Sequence, residues 1–104
     1  MNTDCGIDAM NFSLPRLFLP IDDLAAARGI KIDKLRFGLG LESMSVCDVD
    51  EDVVTLAAEA TWKLIQKEKL KPHEIGRIYL GTESAVDAAK PSTTYVLKIL
   101  EMKL

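Results

Sequence analysis

Apolar side chains recur along residues 52–69 at the spacing of a helix. Val53, Leu56, Ala57, Ala60 and Leu64 mark one face, and Val54, Ala58, Trp62 and Ile65 widen it. Thr55, Glu59, Lys63, Gln66 and Lys67 remain as a narrow polar stripe, so the pattern predicts a helix covered on more than one side. The small Ala57, Ala58 and Ala60 would let another backbone approach closely. A chain of 104 residues has few elements to provide such cover, which points to a missing layer or a partner.

The remaining pattern predicts shorter elements. Residues 75–81 are apolar on both faces except at Arg77, as expected of a parallel strand covered by helices. Residues 6–13 alternate Ile7, Ala9 or Met10, and Phe12 with polar neighbours, which predicts a strand stopped by Pro15. Residues 14–20 read as a loop or extended connector. Asp22 or Asp23 should cap a short helix that runs to Arg28, with Gly29 at its C-cap. A second small helix and a glycine-permitted turn are expected within residues 30–41, and a short strand within residues 43–47. Residues 70–74 form a polar connector. Pro91 should open a final helix with Tyr95, Val96, Ile99, Leu100 and Met102 as its apolar stripe. The resulting order, β-α-α-β-α-β-α, predicts an α/β architecture with a partly parallel sheet.

Glu83 has the most informative position. The stretch Gly81-Thr82-Glu83-Ser84-Ala85-Val86-Asp87 follows the run 75–80 directly, so a carboxylate stands where a strand gives way to a loop. Ligands of open α/β sheets bind there, and a carboxylate half-removed from water has a raised pKa suited to moving protons near neutrality. A capping or solvated role is the plainer alternative. Other candidates are weaker. Asp48, Asp50, Asp52 and Glu59 imitate a calcium loop, but Val53 stands where its sharp turn needs glycine, so an acidic helix N-terminus is the better reading. Gly38 and Gly40 complete no phosphate-binding fingerprint. Cys5 and Cys47 form no CxxC pair and read as free thiols, and His73 as a surface residue.

The totals narrow the function classes further. Hydrophobic residues at 48% and charged residues at 28% argue for one small globular domain rather than disorder. A net charge of −3 offers no basic field for a phosphate backbone, so nucleic acid is not expected as a partner. No apolar run reaches membrane-span length, and the N-terminus lacks the parts of a signal peptide. A cytoplasmic protein with no membrane partner is the expectation.

Several short motifs appear in order: Gly-Ile-Asp-Ala-Met-Asn-Phe at 6–12, Leu-Ala-Ala-Ala-Arg-Gly at 24–29, Asp33-Lys34, Phe-Gly-Leu-Gly at 37–40, Met-Ser-Val at 44–46 and Asp-Glu-Asp-Val-Val-Thr at 50–55. Ile-Gly-Arg-Ile-Tyr-Leu-Gly-Thr-Glu-Ser-Ala-Val-Asp-Ala-Ala-Lys-Pro at 75–91 completes the set. Together they resemble the N-terminal part of hydroxymethylglutaryl-CoA synthase in its bacterial or archaeal style, from Gly6 to Leu104. The resemblance implies a thiolase-like fold, with residues 1–104 as its N-terminal segment and the sheet incomplete. It implies condensation of acetyl-CoA with acetoacetyl-CoA in the mevalonate pathway, with no cofactor beyond the CoA thioesters and a homodimeric full enzyme. In that family a cysteine accepts the acetyl group and a glutamate removes a methyl proton. Glu83, in the Thr-Glu-Ser motif, inherits the general acid/base role. Lys31 and Ile32 align with the substrate-contacting loop before the Gly-Leu-Gly turn.

The resemblance also implies an absence. The family's nucleophilic cysteine lies in an Ala-Cys segment beyond the final helix, the histidine and most CoA contacts farther still, and Leu104 should fall just before the strand that carries it. Cys5 and Cys47 match neither the context nor the place of that nucleophile. Two other readings stand beside this one: a non-catalytic module or partner-dependent subunit, with the over-apolar helix 52–69 and the unfinished sheet as interaction surfaces, and a relative sharing the same motif that acts on carrier-protein-bound acyl groups in polyketide β-branching. Covalent catalysis needs its nucleophile. The purified 104-residue chain is therefore expected to form no hydroxymethylglutaryl-CoA from acetyl-CoA and acetoacetyl-CoA, and product detected by chromatography would refute this.

Overall fold

The computed structural model describes residues 4–103. Met1, Asn2 and Thr3, part of the segment read for a signal peptide, and Leu104, beyond which the nucleophile strand is expected, lie outside the described residues. The chain divides into two compact units: Leu14–Glu51, and the described residues on either side of it.

In the Leu14–Glu51 unit, β1 (Leu17–Pro20) pairs antiparallel with β2 (Ser43–Val46), with Leu17 opposite Val46 and Pro20 opposite Ser43. Residues 17–20 thus form a strand where a connector was expected. Helix α1 (Ile21–Arg28) begins at once after Pro20, whose fixed φ suits a helix entry, and neither Asp22 nor Asp23 caps it. The Ile21 N–H instead donates to the Glu42 carbonyl at 3.0 Å, which joins helix start to strand β2. Gly29 ends α1 in the left-handed conformation at φ 62°, as its position predicts. Ile21 and Ala25 are the buried residues of this unit. The second small helix is a wide turn of π-helical spacing, Lys34–Gly38, closed by Leu41 N–H donating to the Leu35 carbonyl at 3.0 Å. Gly40 follows at φ 66°, which supplies the expected glycine turn.

Both ends of this unit are held by Arg16. Its guanidinium contacts Asp48 at 3.3 Å, Glu51 at 3.4 Å and also Asp50, and its backbone N–H donates to both Glu51 oxygens at 3.1 Å. Asp50 above all, then Asp48 and Glu51, hold the guanidinium protonated beyond its already high ordinary value. The acidic run was expected to cap a helix, yet only Asp52 does so. Asp48, Asp50 and Glu51, whose oxygens lie within 4.8 Å of one another, gather around arginine instead.

The other unit is built on α2 (Val53–Glu68) and α3 (Ser92–Lys103). Asp52 and Thr55 form a reciprocal cap: the Asp52 side chain accepts from Thr55 N–H at 2.8 Å, and Thr55 Oγ1 accepts from Asp52 N–H at 2.9 Å. Val54, Ala58 and Ile65 of α2 bury against Val96 and Leu100 of α3, with Ala58 as the small residue at the seam. The expected polar stripe of Thr55, Glu59, Lys63, Gln66 and Lys67 is exposed. Ser13 donates to Glu59 at 2.5 Å, and this bond, followed by the Lys63 contact at 2.9 Å, holds the Glu59 carboxyl below its ordinary range.

Two expected strands are absent from this unit. Residues 6–13 are irregular, with Ile7, Met10 and Phe12 facing solvent, because no strand lies beside them to satisfy their backbone. Residues 75–81 likewise pair with nothing, although Ile75, Ile78 and Leu80 pack on the helical core. Among the described residues the one sheet is the antiparallel β1–β2 pair, so the partly parallel sheet is not formed here. A short 3-10 turn, Pro72–Glu74, fills the connector before residue 75.

Helix α2 ends on Lys69, which takes the left-handed conformation at φ 53° while Leu70 N–H donates to the Ile65 carbonyl at 3.1 Å. A non-glycine residue is strained there and glycine is not. Lys69→Gly is expected to raise unfolding stability by about 0.5–1 kcal/mol. Urea titration followed by circular dichroism checks this, and a lower midpoint would contradict it.

Candidate functional site

Glu83 stands on an exposed loop whose order comes from its far end. After Leu80 the chain runs without regular structure to Pro91, and residues 81–86 are all exposed. Thr82 Oγ1 accepts from Ser84 N–H at 3.0 Å, which bends the backbone around Glu83. The firmer anchor is Asp87. Its Oδ1 accepts from Ala89 N–H at 2.8 Å and Lys90 N–H at 3.1 Å, and its Oδ2 accepts from the Tyr95 hydroxyl at 2.7 Å. These bonds, the Ala89 one foremost, hold the Asp87 carboxyl below its ordinary range, and Asp87 in turn pushes the Tyr95 phenol up. The Lys90 ammonium lies 5.3 Å from the centre of the Tyr95 ring.

The loop and the start of α3 border an open hollow of about 330 Å³ whose mixed lining includes Thr82, Asp87, Lys90 and Ser92 beside Leu80, Ala88 and Pro91. Glu83 sits beside it rather than in its wall. Apolar cover, which acid/base tuning of a carboxylate requires, is not supplied to Glu83 by the residues of its own unit.

The other sequence-predicted positions are distributed as follows. Lys31 and Ile32 belong to the Leu14–Glu51 unit, at the entry to the Lys34–Gly38 turn. Lys31 is exposed and its carbonyl accepts from Lys34 N–H at 3.1 Å, while Ile32 is half-buried. Cys5 and Cys47 are free and exposed, and His73 is exposed. The residue that sequence reasoning passed over is Asp87, quoted as part of a motif but given no role. Its signal was present: an aspartate two and three residues before free N–H groups, with Pro91 closing the segment, is the pattern of an Asx-type turn.

Comparison with known proteins gives one family throughout. The description "Hydroxymethylglutaryl-coenzyme A synthase N terminal" matches residues 1–103. The hydroxymethylglutaryl-CoA synthase of Haloferax volcanii is 43% identical over 100 residues, covering 95% of this chain and 22% of that protein. That of Archaeoglobus fulgidus is 34% identical over 91 residues, covering 88% of this chain and 26% of that protein. Among solved structures, MvaS in complex with 3-hydroxy-3-methylglutaryl coenzyme A superimposes with a TM-score of 0.80 at 40% identity, covering 92% of this chain and 23% of that one. An HMG-CoA synthase complexed with CoA gives 0.70 at 35% identity. The chain therefore spans about a quarter of the length of the proteins it matches. No helix among the described residues is long and apolar enough to cross a membrane.

The bonds to Asp87 are linked to pH. Its carboxyl titrates below the ordinary value, so their contribution is complete above pH ~4 and is lost as pH falls through the lower folded value. The Tyr95 contribution is complete below the phenol's ordinary value of about 10 and is lost as pH rises through the higher folded one. Asp87→Asn is expected to lower the Tyr95 midpoint in an ultraviolet phenolate titration. An unchanged midpoint would show that the Asp87–Tyr95 bond is not made in solution.

Proposed function

Because the chain belongs to the hydroxymethylglutaryl-CoA synthase family, we propose that it forms the N-terminal part of an enzyme that condenses acetyl-CoA with acetoacetyl-CoA, with Glu83 as general acid/base. The observation that carries this reading is the family match across residues 1–103, which includes the Thr-Glu-Ser loop directly after the run 75–80. In the mechanism, a cysteine outside these 104 residues takes the acetyl group from acetyl-CoA, and CoA leaves as the thiol. The Glu83 carboxylate removes a proton from the methyl of the acetyl thioester. The resulting enolate carbon attacks the ketone carbon of acetoacetyl-CoA, and the new alkoxide takes up a proton. Water then cleaves the enzyme thioester and frees hydroxymethylglutaryl-CoA.

Physical features of the chain support this assignment. Glu83 is reachable from solvent, as a group that must meet a bulky thioester has to be. The bonds that organise the loop fall on Thr82, Ser84 and Asp87, which leaves the Glu83 carboxylate uncommitted to any hydrogen bond among the described residues. Lys31 and Ile32, at the opening of a turn, are suited to contact substrate through backbone and stem atoms. In this reading the complete enzyme is a thiolase-like, cytoplasmic homodimer of the mevalonate pathway that takes CoA thioesters and needs no further cofactor. The remainder of the enzyme supplies the nucleophile and the cover over Glu83.

The decisive experiment separates the two half-reactions. In an enzyme that contains this chain and the remainder, Glu83→Gln should leave acetyl transfer to cysteine intact, measured by labelled acetyl incorporation. Condensation should fall by about 10²–10⁴-fold, the usual worth of a positioned proton-transfer group. Condensation at the unaltered rate would remove Glu83 from the mechanism.

A further inference from the structure

Residues 81–90 carry Glu83 without a helix or strand of their own. The bond from Ser84 N–H to Thr82 Oγ1 and those from Ala89 N–H and Lys90 N–H to Asp87 stay inside the segment, so they shape it without attaching it. Among the described residues one hydrogen bond leaves the segment: the Tyr95 hydroxyl of α3 donates to Asp87 Oδ2 at 2.7 Å. Tyr95 is suited to that task. Its ring packs on the α2–α3 core, and it stands next to Val96, which is 1% exposed. Two torsions restrained by packing therefore set where the hydroxyl lies. The Lys90 ammonium, 5.3 Å from the ring centre, draws the end of the segment to the same side chain.

We propose that Tyr95 is a positioning residue for proton transfer at Glu83: its hydroxyl, acting through Asp87, fixes where the Glu83 carboxylate meets the methyl group of the acetyl thioester. This rests on the proposed role of Glu83 and goes beyond it by naming what sets its geometry. Leu80 leans on the core three residues before Glu83, and Asp87 lies four residues after it. A carboxylate slung between two such points is located only while both hold. With the second released, the loop hinges on Leu80 alone. Misplacement of about 1 Å at a reacting group costs on the order of 10²-fold in rate. The Ala89 N–H first and the Tyr95 hydroxyl next hold Asp87 ionised, and Asp87 in turn holds the phenol protonated, so acceptor and donor keep these forms across neutral pH. The Tyr95 proton is thus committed to Asp87, and the residue acts through that carboxylate rather than on the substrate.

Half-reaction kinetics test this in an enzyme that contains this chain and the remainder. Tyr95→Phe removes the hydroxyl and keeps the ring. Acetyl incorporation into cysteine and the half-saturating concentration of acetoacetyl-CoA should be unchanged, while the rate of condensation from the preformed acetyl-enzyme should fall by about 10–100-fold. A merely structural loss lowers acetyl transfer as well, and that result overturns the inference. Asp87→Ala should slow condensation at least as much. The double variant Asp87→Ala, Tyr95→Phe should be no slower than Asp87→Ala alone, because the two residues act through one bond. Losses that multiply, or condensation at the unaltered rate in Tyr95→Phe, overturn the inference. Glu83→Gln is measured beside them. An impaired Glu83→Gln with an unaltered Tyr95→Phe sinks the positioning role alone, whereas normal condensation by Glu83→Gln removes the proposed function and this inference together.

Discussion

The seam between α2 and α3 bears the larger unit. Val96 and Leu100 reach it from one side, Val54, Ala58 and Ile65 from the other, and Trp62, Leu70, Ile75, Ile78, Leu80 and Tyr95 are among the residues that lean on it. Ile75, Ile78 and Leu80 lie against that core, so the run before the Glu83 loop has a fixed floor even without strand partners. The far end of the loop is fixed by Tyr95, which rises from α3 one residue before Val96 and holds Asp87. Both ends of the Glu83 loop are thereby referred to a single helix pair. A cavity opened at Val96 or Leu100 would loosen the floor and the anchor together, at the several kcal/mol typical of buried aliphatic truncation (~2–5 for a leucine).

The Leu14–Glu51 unit solves the same problem with charge. Its buried apolar residues are Ile21 and Ala25, too few to hold a hairpin and a helix by burial alone. Arg16 compensates by collecting Asp48, Asp50 and Glu51 from the end of the unit and drawing them to its beginning. Isolated exposed ion pairs contribute little, but several carboxylates converging on one guanidinium form a network. This makes the unit more sensitive to salt than its neighbour, whose core is apolar.

The helices were legible because their information is local. The polar stripe Thr55, Glu59, Lys63, Gln66 and Lys67 is set by periodicity alone, and Gly29 after Arg28 marks a helix end that only backbone sterics decide. Strands were not legible to the same degree, because a strand is a relation between two segments. Residues 17–20 became one through register with 43–46, which no pattern within residues 14–20 announces. Residues 6–13 and 75–81 have the side-chain pattern and lack the partner. The loop of Glu83 could be located from sequence, since it follows an apolar run. The Asx-type turn of Asp87 was legible too, but its bond to Tyr95 was not, because that depends on where α3 places the hydroxyl.

Gly76 and Arg77 interrupt what would otherwise be a continuous aliphatic and aromatic run from Ile75 to Leu80. In a chain of the relatives' length, roughly three-quarters is still unmade when this segment leaves the ribosome. At ~5–20 residues per second, the open peptide row then waits on the order of tens of seconds for anything to cover it. During that interval it is a template for any passing strand, and a charge flanked by glycine is the usual guard against such capture. Arg77 is a charge of the gatekeeper kind, set inside an otherwise apolar run, and its worth would lie in the nascent chain more than in the folded one.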